Sequence, residues 1–229
     1  MDTIVLSSCV PSLTHYVHPS VPNVHCLKGV LQPEECIQMI GAAHANGFDP
    51  DVPLDVNGNA TRPVAWYFYW IIDQGFETRL WSRIASHVPK TFGGKEVYGL
   101  NRWFRVYRYI PGEEFPAHLD AAWPPSSIDS ETGAYVHDGS PKGRKLMSRL
   151  TFLIYLSDSF ETGGDTTFFI PSDVEGNLNA YPVTPMQGSV LLFPHGELDE
   201  AVLHEGTAVA AYLGATPKYV IRTEIIYDA

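Results

Sequence analysis

The stretch RVYRYIPGEEFPAHLD, residues 105–120, runs from aromatic and β-branched residues through a Pro-Gly turn to a histidine and an aspartate two positions apart. On an extended strand successive side chains alternate between faces, so residues i and i+2 share one. His118 and Asp120 therefore aim an imidazole and a carboxylate at the same spot. By itself an H-x-D pair is a weak signal, and a surface ion pair of little energetic value is its commoner meaning. Its meaning depends on what the rest of the chain brings to it.

Downstream, SRLTFLIYLS, TTFFI, GSVLLFP, AVLH and KYVIRTEIIY are short apolar runs separated by Gly, Pro, Asp and Ser clusters. That punctuation predicts an all-β half, sandwich or barrel. Between two of the runs lies PPSSIDSETGAYVHDGSPKGRK, residues 124–145. A polar segment of that length without periodicity reads as a lid or a disordered insertion. Directly after Asp120, it is expected to be mobile and to close over the site when substrate binds. Upstream, residues 31–48 predict a helix, with Pro33 and Glu34 at its start, an apolar face of Ile37, Ile40 and Ala43, and Gly47 as its stop. GNATRPVAWYFYWII is β-prone. FETRLWSRIASHVPKTF predicts a second helix on Leu80, Trp81, Ile84 and Val88, closed by Pro89. The first 25 residues lack periodicity and read as an irregular arm.

Composition narrows the function classes. The 229 residues are 45% hydrophobic and 18% charged, with a net charge of −11. Such a chain can bury a core, and one large domain is the expectation. With no Lys/Arg-rich run, a nucleic-acid or anionic-membrane footprint is not expected. The start lacks a signal-peptide pattern and no run reaches membrane-spanning length, which predicts a cytoplasmic or otherwise intracellular protein. Cys9, Cys26 and Cys36 are odd in number and show no Cys-x-x-Cys spacing, so no disulfide framework is expected.

If His118 and Asp120 are two ligands of a divalent iron, a second histidine must complete a facial set that leaves three positions open. His204, at the end of the AVLH run, has a strand-end setting that suits a ligand. His195, in the turn-like FPHGELD, is the competitor and is expected to be solvated. Beyond His204, Lys218 and Arg222 share one face of the KYVIRTEIIY run. Inward-facing cations want an anionic partner: either a protein carboxylate such as Glu224, or a dicarboxylate cosubstrate whose near end chelates the metal.

Taken in order, LQPEECIQMIGAAHANGF, RVYRYIPGEEFPAHLD, SRLTFLIYLSDSFETGGDTTFF, GSVLLFPH, LHEGTAV and KYVIRTEIIY resemble the iron(II)- and 2-oxoglutarate-dependent dioxygenases. Within them the chain is most similar to the prolyl 4-hydroxylase-like branch, over roughly residues 29–227. The resemblance implies a mainly β fold, a distorted double-stranded β-helix (jelly roll, cupin-like) with an N-terminal helical buttress. It implies an arm over 1–25 and a single domain over 26–229, with helical support at 31–92 and a jelly-roll core at 99–227. It further implies that His118, Asp120 and His204 hold Fe(II) and that Lys218 pairs with the distal carboxylate of 2-oxoglutarate. Tyr109 and Tyr155 match positions whose phenols reach that cosubstrate. Dioxygen would be the second cosubstrate, with ascorbate as a candidate reductant. The activity implied is hydroxylation of an aliphatic C–H, prolyl or another amino-acid side chain in a peptide or protein; a free amino acid or small metabolite is the alternative substrate. One departure is visible: fourteen residues separate His204 from Lys218, four more than the usual pattern, which leaves Arg222 as a substitute or second contact. Trp123 and Arg105 could line the substrate side. A non-catalytic jelly-roll binding module or a cupin-like metalloenzyme without 2-oxoglutarate would have no need for the full ligand set together with Lys218.

Overall fold

A computed structural model describes residues 4, 6, 7, 12–54, 57–158 and 163–229. Two strands, β1 (Thr14–Val17) and β2 (His25–Lys28), precede helix α1 (Pro33–Asn46). Strands β3 (Asp49–Asp51) and β4 (Ala65–Ile71) lead to helix α2 (Gln74–Ile84). Then follow β5 (Thr91–Phe92), β6 (Lys95–Leu100), β7 (Trp103–Tyr109), β8 (Phe115–His118), β9 (Ser127–Ile128), β10 (Tyr135–Val136), β11 (Leu146–Tyr155), β12 (Thr166–Pro171), β13 (Leu178–Val183), β14 (Val190–Pro194), β15 (Leu203–Gly206) and β16 (Lys218–Asp228). No helix among the described residues is long and apolar enough to cross a membrane.

The strands form a large antiparallel sheet in the order β1-β2-β14-β11-β16-β7-β4-β3, with β6 and β5 extending it beside β16. A smaller sheet runs β13-β12-β15-β8. Alternation along the central strands sorts side chains to two sides. Phe104 and Val106 of β7, Phe152 and Ile154 of β11, and Ile221 of β16 pack with Cys36, Met39, Phe76, Leu80 and Ile84 of the helices. Tyr109, Tyr155 and Val220, on the opposite face, pack with Phe168 of the smaller sheet and Phe193 of β14. The helices thus cover one side of the large sheet, and the smaller sheet closes the other, a double-stranded β-helix.

Four expectations need correction. Thr14–Val17 is a strand paired with His25–Lys28, so the first 25 residues are not wholly irregular. Helix α1 begins at Pro33 and ends before Gly47 (φ 84°), as its termini predict, but it buries Cys36, Met39 and Ala43, whereas Ile37 is 62% exposed. Both stripes satisfy the helical period, and contact with the sheet selects the first. Helix α2 is capped by Asp73, which accepts from the Phe76 amide, and it stops at Ile84 well before Pro89, although Val88 is still buried. Segment 124–145 carries its own hairpin, β9 with β10. The Asp129 carboxylate accepts from the Glu131 and Thr132 amides, and Gly133 takes a positive φ of 71° to close the turn. The Ser126 amide donates to Asn101 Oδ1 at 2.9 Å, and the Tyr135 ring packs on Trp103, which ties the segment to β7.

Cys26 and Cys36 are free, buried thiols, and Cys9 lies outside the described residues.

Candidate metal centre

His118 ends β8 and His204 lies in β15, and the two are Cα partners across the strand pair. Their rings lie 4.3 Å apart, centroid to centroid. Asp120, two residues past His118, is buried, with Oδ1 3.5 Å from His118 Nε2 and Oδ2 3.7 Å from His204 Nε2. Each imidazole has its Nδ1 against a backbone carbonyl, His118 with Pro116 at 2.8 Å and His204 with Val202 at 3.0 Å. A carbonyl only accepts, so Nδ1 carries a proton and Nε2 is the ring atom turned toward Asp120 and left to bind a metal. Burial lowers His204 to about 4, which keeps its Nε2 unprotonated at neutral pH.

Burial pushes the Asp120 carboxyl up, but the Arg222 guanidinium and the Thr151 hydroxyl hold it well below the usual carboxylate range. Thr151 donates to Oδ2 at 2.6 Å. Oδ1 is buried and accepts no hydrogen bond, although Arg222 Nη1 stands 2.9 Å away and supplies charge. Two imidazole nitrogens and one carboxylate oxygen, here charge-balanced by Arg222, are the donor set of a facial 2-His-1-carboxylate iron site. Among the described residues no other group of three such side chains has its ligand atoms this close, within 4.8 Å of one another.

The same cavity is lined by Tyr107, Tyr109, Thr151, Thr166, Lys218 and Arg222. Lys218 opens β16 as expected and is buried, its ammonium donating to the Gly164 carbonyl at 2.6 Å. It lies over the rings of Tyr109 and Tyr155, 5.4 and 5.8 Å from their centroids. Burial lowers Lys218 to about 8, with Asp165 pulling the other way. Gly164 (φ 80°) makes this approach possible, because a Cβ there would sit 2.9 Å from Lys218 Cδ. Tyr155 reaches the cavity only through Thr166, to whose hydroxyl it donates at 2.7 Å. Glu224 does not serve Lys218. It forms an ion pair with Arg105 and accepts from Asn101 Nδ2 at 2.8 Å. Arg105 is therefore a buried partner of Glu224, stacked near Trp103 and Trp123, rather than a free substrate contact.

His195 departs from expectation most clearly: it is 1% exposed instead of solvated. It stands outside the three-residue cluster and behind it, with Nδ1 2.8 Å from Thr151 Oγ1 and Nε2 2.8 Å from Ser148 Oγ. Thr151 and Thr166 are the polar wall residues that sequence reasoning passed over. For Thr151 a signal was available: it shares the inward parity of Leu153 and Tyr155 within the apolar run that ends the strand, which marks a hydroxyl with a buried task.

A double-stranded β-helix with a 2-His-1-carboxylate cluster under one sheet defines the class of non-haem iron oxygenases. Residues 104–223 match the family described as the 2OG-Fe(II) oxygenase superfamily, and the chain belongs to it. Fe(II) and 2-oxoglutarate are accordingly its metal and cosubstrate. No curated protein matches the sequence. Among solved structures, viral collagen prolyl hydroxylase vCPH from Paramecium Bursaria Chlorella virus-1, in its 2OG complex, is similar with a TM-score of 0.54 at 18% identity, covering 90% of this chain and 97% of that one. SnoN, a non-heme alpha ketoglutarate dependent epimerase from nogalamycin biosynthesis, gives 0.51 at 16% identity, covering 90% and 77%. An oxidoreductase of the 2OG-Fe(II) oxygenase family from Burkholderia pseudomallei gives 0.50 at 12% identity, covering 93% and 84%. At these identities the likeness extends to the fold.

Proposed function

We propose that the protein hydroxylates an aliphatic C–H of an amino-acid side chain, prolyl in the first instance, within a peptide or protein. His118, Asp120 and His204 would hold Fe(II), and Lys218 would pair with the distal carboxylate of 2-oxoglutarate, helped by Tyr109 and by Thr166 with Tyr155 behind it. Bound there, Fe(II) supplies the redox chemistry that couples 2-oxoglutarate decarboxylation to oxygen transfer. The chain's own residues bind, orient and exclude water. The Nδ1 hydrogen bonds of both histidines fix their ring planes, and Phe193 and Phe168 pack around His204, its ring centroid 4.6 and 6.1 Å from theirs. The observation that carries the reading is the convergence of three ligand atoms within 4.8 Å of one another with a buried, inward ammonium on the wall of the same cavity.

A peptide substrate is supported by the surface beside that cavity. Tyr107 of the wall is the cross-strand partner of Tyr67. From there Tyr67, Tyr69, Trp103 and Tyr135 continue in ring contact at 4.8, 5.2 and 5.9 Å. Tyr69 is 48% exposed. Aromatic surfaces of this kind suit extended, proline-containing chains, whose backbone is already ordered. One observation favours a second reading, a free amino acid: Arg222 Nε and Nη2 are buried without a hydrogen-bond partner, and a substrate carboxylate would satisfy them. The test is to incubate the protein with Fe(II) and 2-oxoglutarate against prolyl peptides and free amino acids, measuring succinate and a mass gain of one oxygen. Stoichiometric succinate and hydroxylated peptide is the expected result. Turnover of free amino acids alone selects the second reading, and no succinate with any substrate class overturns both.

A further inference from the structure

Behind Asp120 a line of hydrogen bonds runs through buried side chains to the backbone of Trp123. Its members are Asp120 Oδ2, Thr151 Oγ1, His195 Nδ1 and Nε2, Ser148 Oγ and the Trp123 amide, with links of 2.6, 2.8, 2.8 and 2.8 Å. Four of the five residues are buried, and Trp123 is half-buried.

The direction of every proton in this line follows from counting donors. A carboxylate only accepts, so the single Thr151 proton points to Asp120. At its other contact Thr151 must then accept, which puts a proton on His195 Nδ1. With the ring neutral, as its burial dictates, Nε2 is bare and takes the Ser148 proton. Ser148 in turn accepts the Trp123 N–H, which can only donate. The four bonds are therefore all aligned toward the carboxylate, each polarising the next. His195 is the one member able to receive at one end and donate at the other across a ring.

We propose that His195 is a positioning residue for the metal-binding carboxylate: as the Nδ1–H tautomer it holds the Thr151 hydroxyl on Asp120 Oδ2 and so reserves Oδ1 for the metal. The inference rests on the Fe(II) reading of the cluster. It assigns the FPHG histidine a task that neither a ligand nor a solvated turn residue would have. It also joins the root of segment 124–145, through the Trp123 amide, to the ligand itself. Partners behind a ligand that fix its orientation commonly change metal affinity by about 10- to 100-fold when removed.

The test is anaerobic titration of the metal-free full-length protein with Fe(II), and separately with Mn(II), in four forms: wild type, His195→Phe, His195→Asn and Thr151→Val. His195→Phe and Thr151→Val are expected to weaken both metals by about 10- to 100-fold. His195→Asn, whose side-chain amide can sit where Nδ1–H was, should recover most of the loss. A merely structural role would lower thermal stability in all three variants without that rescue. Nitrogen NMR of the metal-free wild type, with the His195 ring labelled, should give the Nδ1–H tautomer, and this reading is independent of whether His195→Phe folds. The Nε2–H tautomer, or folded His195→Phe and Thr151→Val variants that bind metal like the wild type, would overturn the proposal while leaving the Fe(II) reading intact. A wild type that binds neither metal would overturn both.

Discussion

Arg222 Nη1 lies 2.9 Å from Asp120 Oδ1, a buried ion pair between β16 and the residue that follows β8. Four residues earlier on the same strand face, Lys218 makes no such pair and donates to a backbone carbonyl. The two cations therefore have different roles. One balances the carboxylate of the cluster, and the other waits at the far end of the cavity.

Removing the Arg222 charge strands a buried carboxylate, which in comparable pairs costs about 3–5 kcal/mol. A divalent cation at the cluster would replace that counter-charge. Arg222→Met is thus expected to lower the melting temperature of the metal-free protein and to show a larger rise on adding Mn(II) than the wild type does. Thermal scans with and without Mn(II) check it, and equal increments in both proteins would refute it.

Lys218 predicts a pH signature. Its folded value, about 8, lies below the ordinary 10.5, so between those values the unfolded chain binds the extra proton. Stability contributed by this group therefore rises with pH across the window. The difference in denaturation free energy between wild type and Lys218→Met should change in that direction from pH 8 to 10. The same variant should bind 2-oxoglutarate more weakly by about 1.5–3 kcal/mol, the range for a hydrogen bond to a charged group. Equilibrium binding to the metal-loaded protein measures it.

Glu35 and Arg83 form a second buried pair at 2.8 Å, and Glu35 also accepts from the amides of Ser7 and Gln32. Burial pushes Glu35 up, but Arg83 and the two amides bring it below its ordinary value. Its contribution is complete above the unfolded carboxyl value and disappears as pH falls through the lowered one. Arg83→Met should destabilise by about 3–5 kcal/mol at pH 7. Urea denaturation at pH 7 and pH 3 should show the gap between variant and wild type shrinking in acid.

Tyr69 tests the aromatic surface. Half-exposed and on the inner face of β4, it touches Tyr67 and Trp103 but none of the cluster residues. Tyr69→Ala should raise the KM for a prolyl peptide several-fold while leaving 2-oxoglutarate affinity unchanged. An unaltered peptide KM would remove this surface from substrate recognition.

The strands around the cluster were legible because their alternation and punctuation are local, and His118, His204 and Lys218 stand at strand ends or starts where a polar side chain draws notice, with Asp120 two residues past His118. Other features depend on packing that no local pattern encodes. Ile37 and Met39 both fit a helical stripe, and only the sheet beneath decides between them. The FPHG setting of His195 looks like an exposed turn until Ser148 and Thr151, more than forty residues earlier in the chain, are brought beside it. In segment 124–145 the turn chemistry of Asp129 and Gly133 was present but was outweighed by polarity.

The direct pairing of His118 with His204 has a consequence for assembly of the protein. A slip of one residue between β8 and β15 would send one imidazole to the opposite face of the sheet and dismantle the cluster. Metal affinity would therefore report whether the smaller sheet has closed in register. A bound ion would clasp its edge strand, β8, to its neighbour, adding about 2.7 kcal/mol at a hundredfold excess over Kd. Chelation should loosen that seam first, and hydrogen exchange at the amides of residues 115–118 and 203–206 would record it.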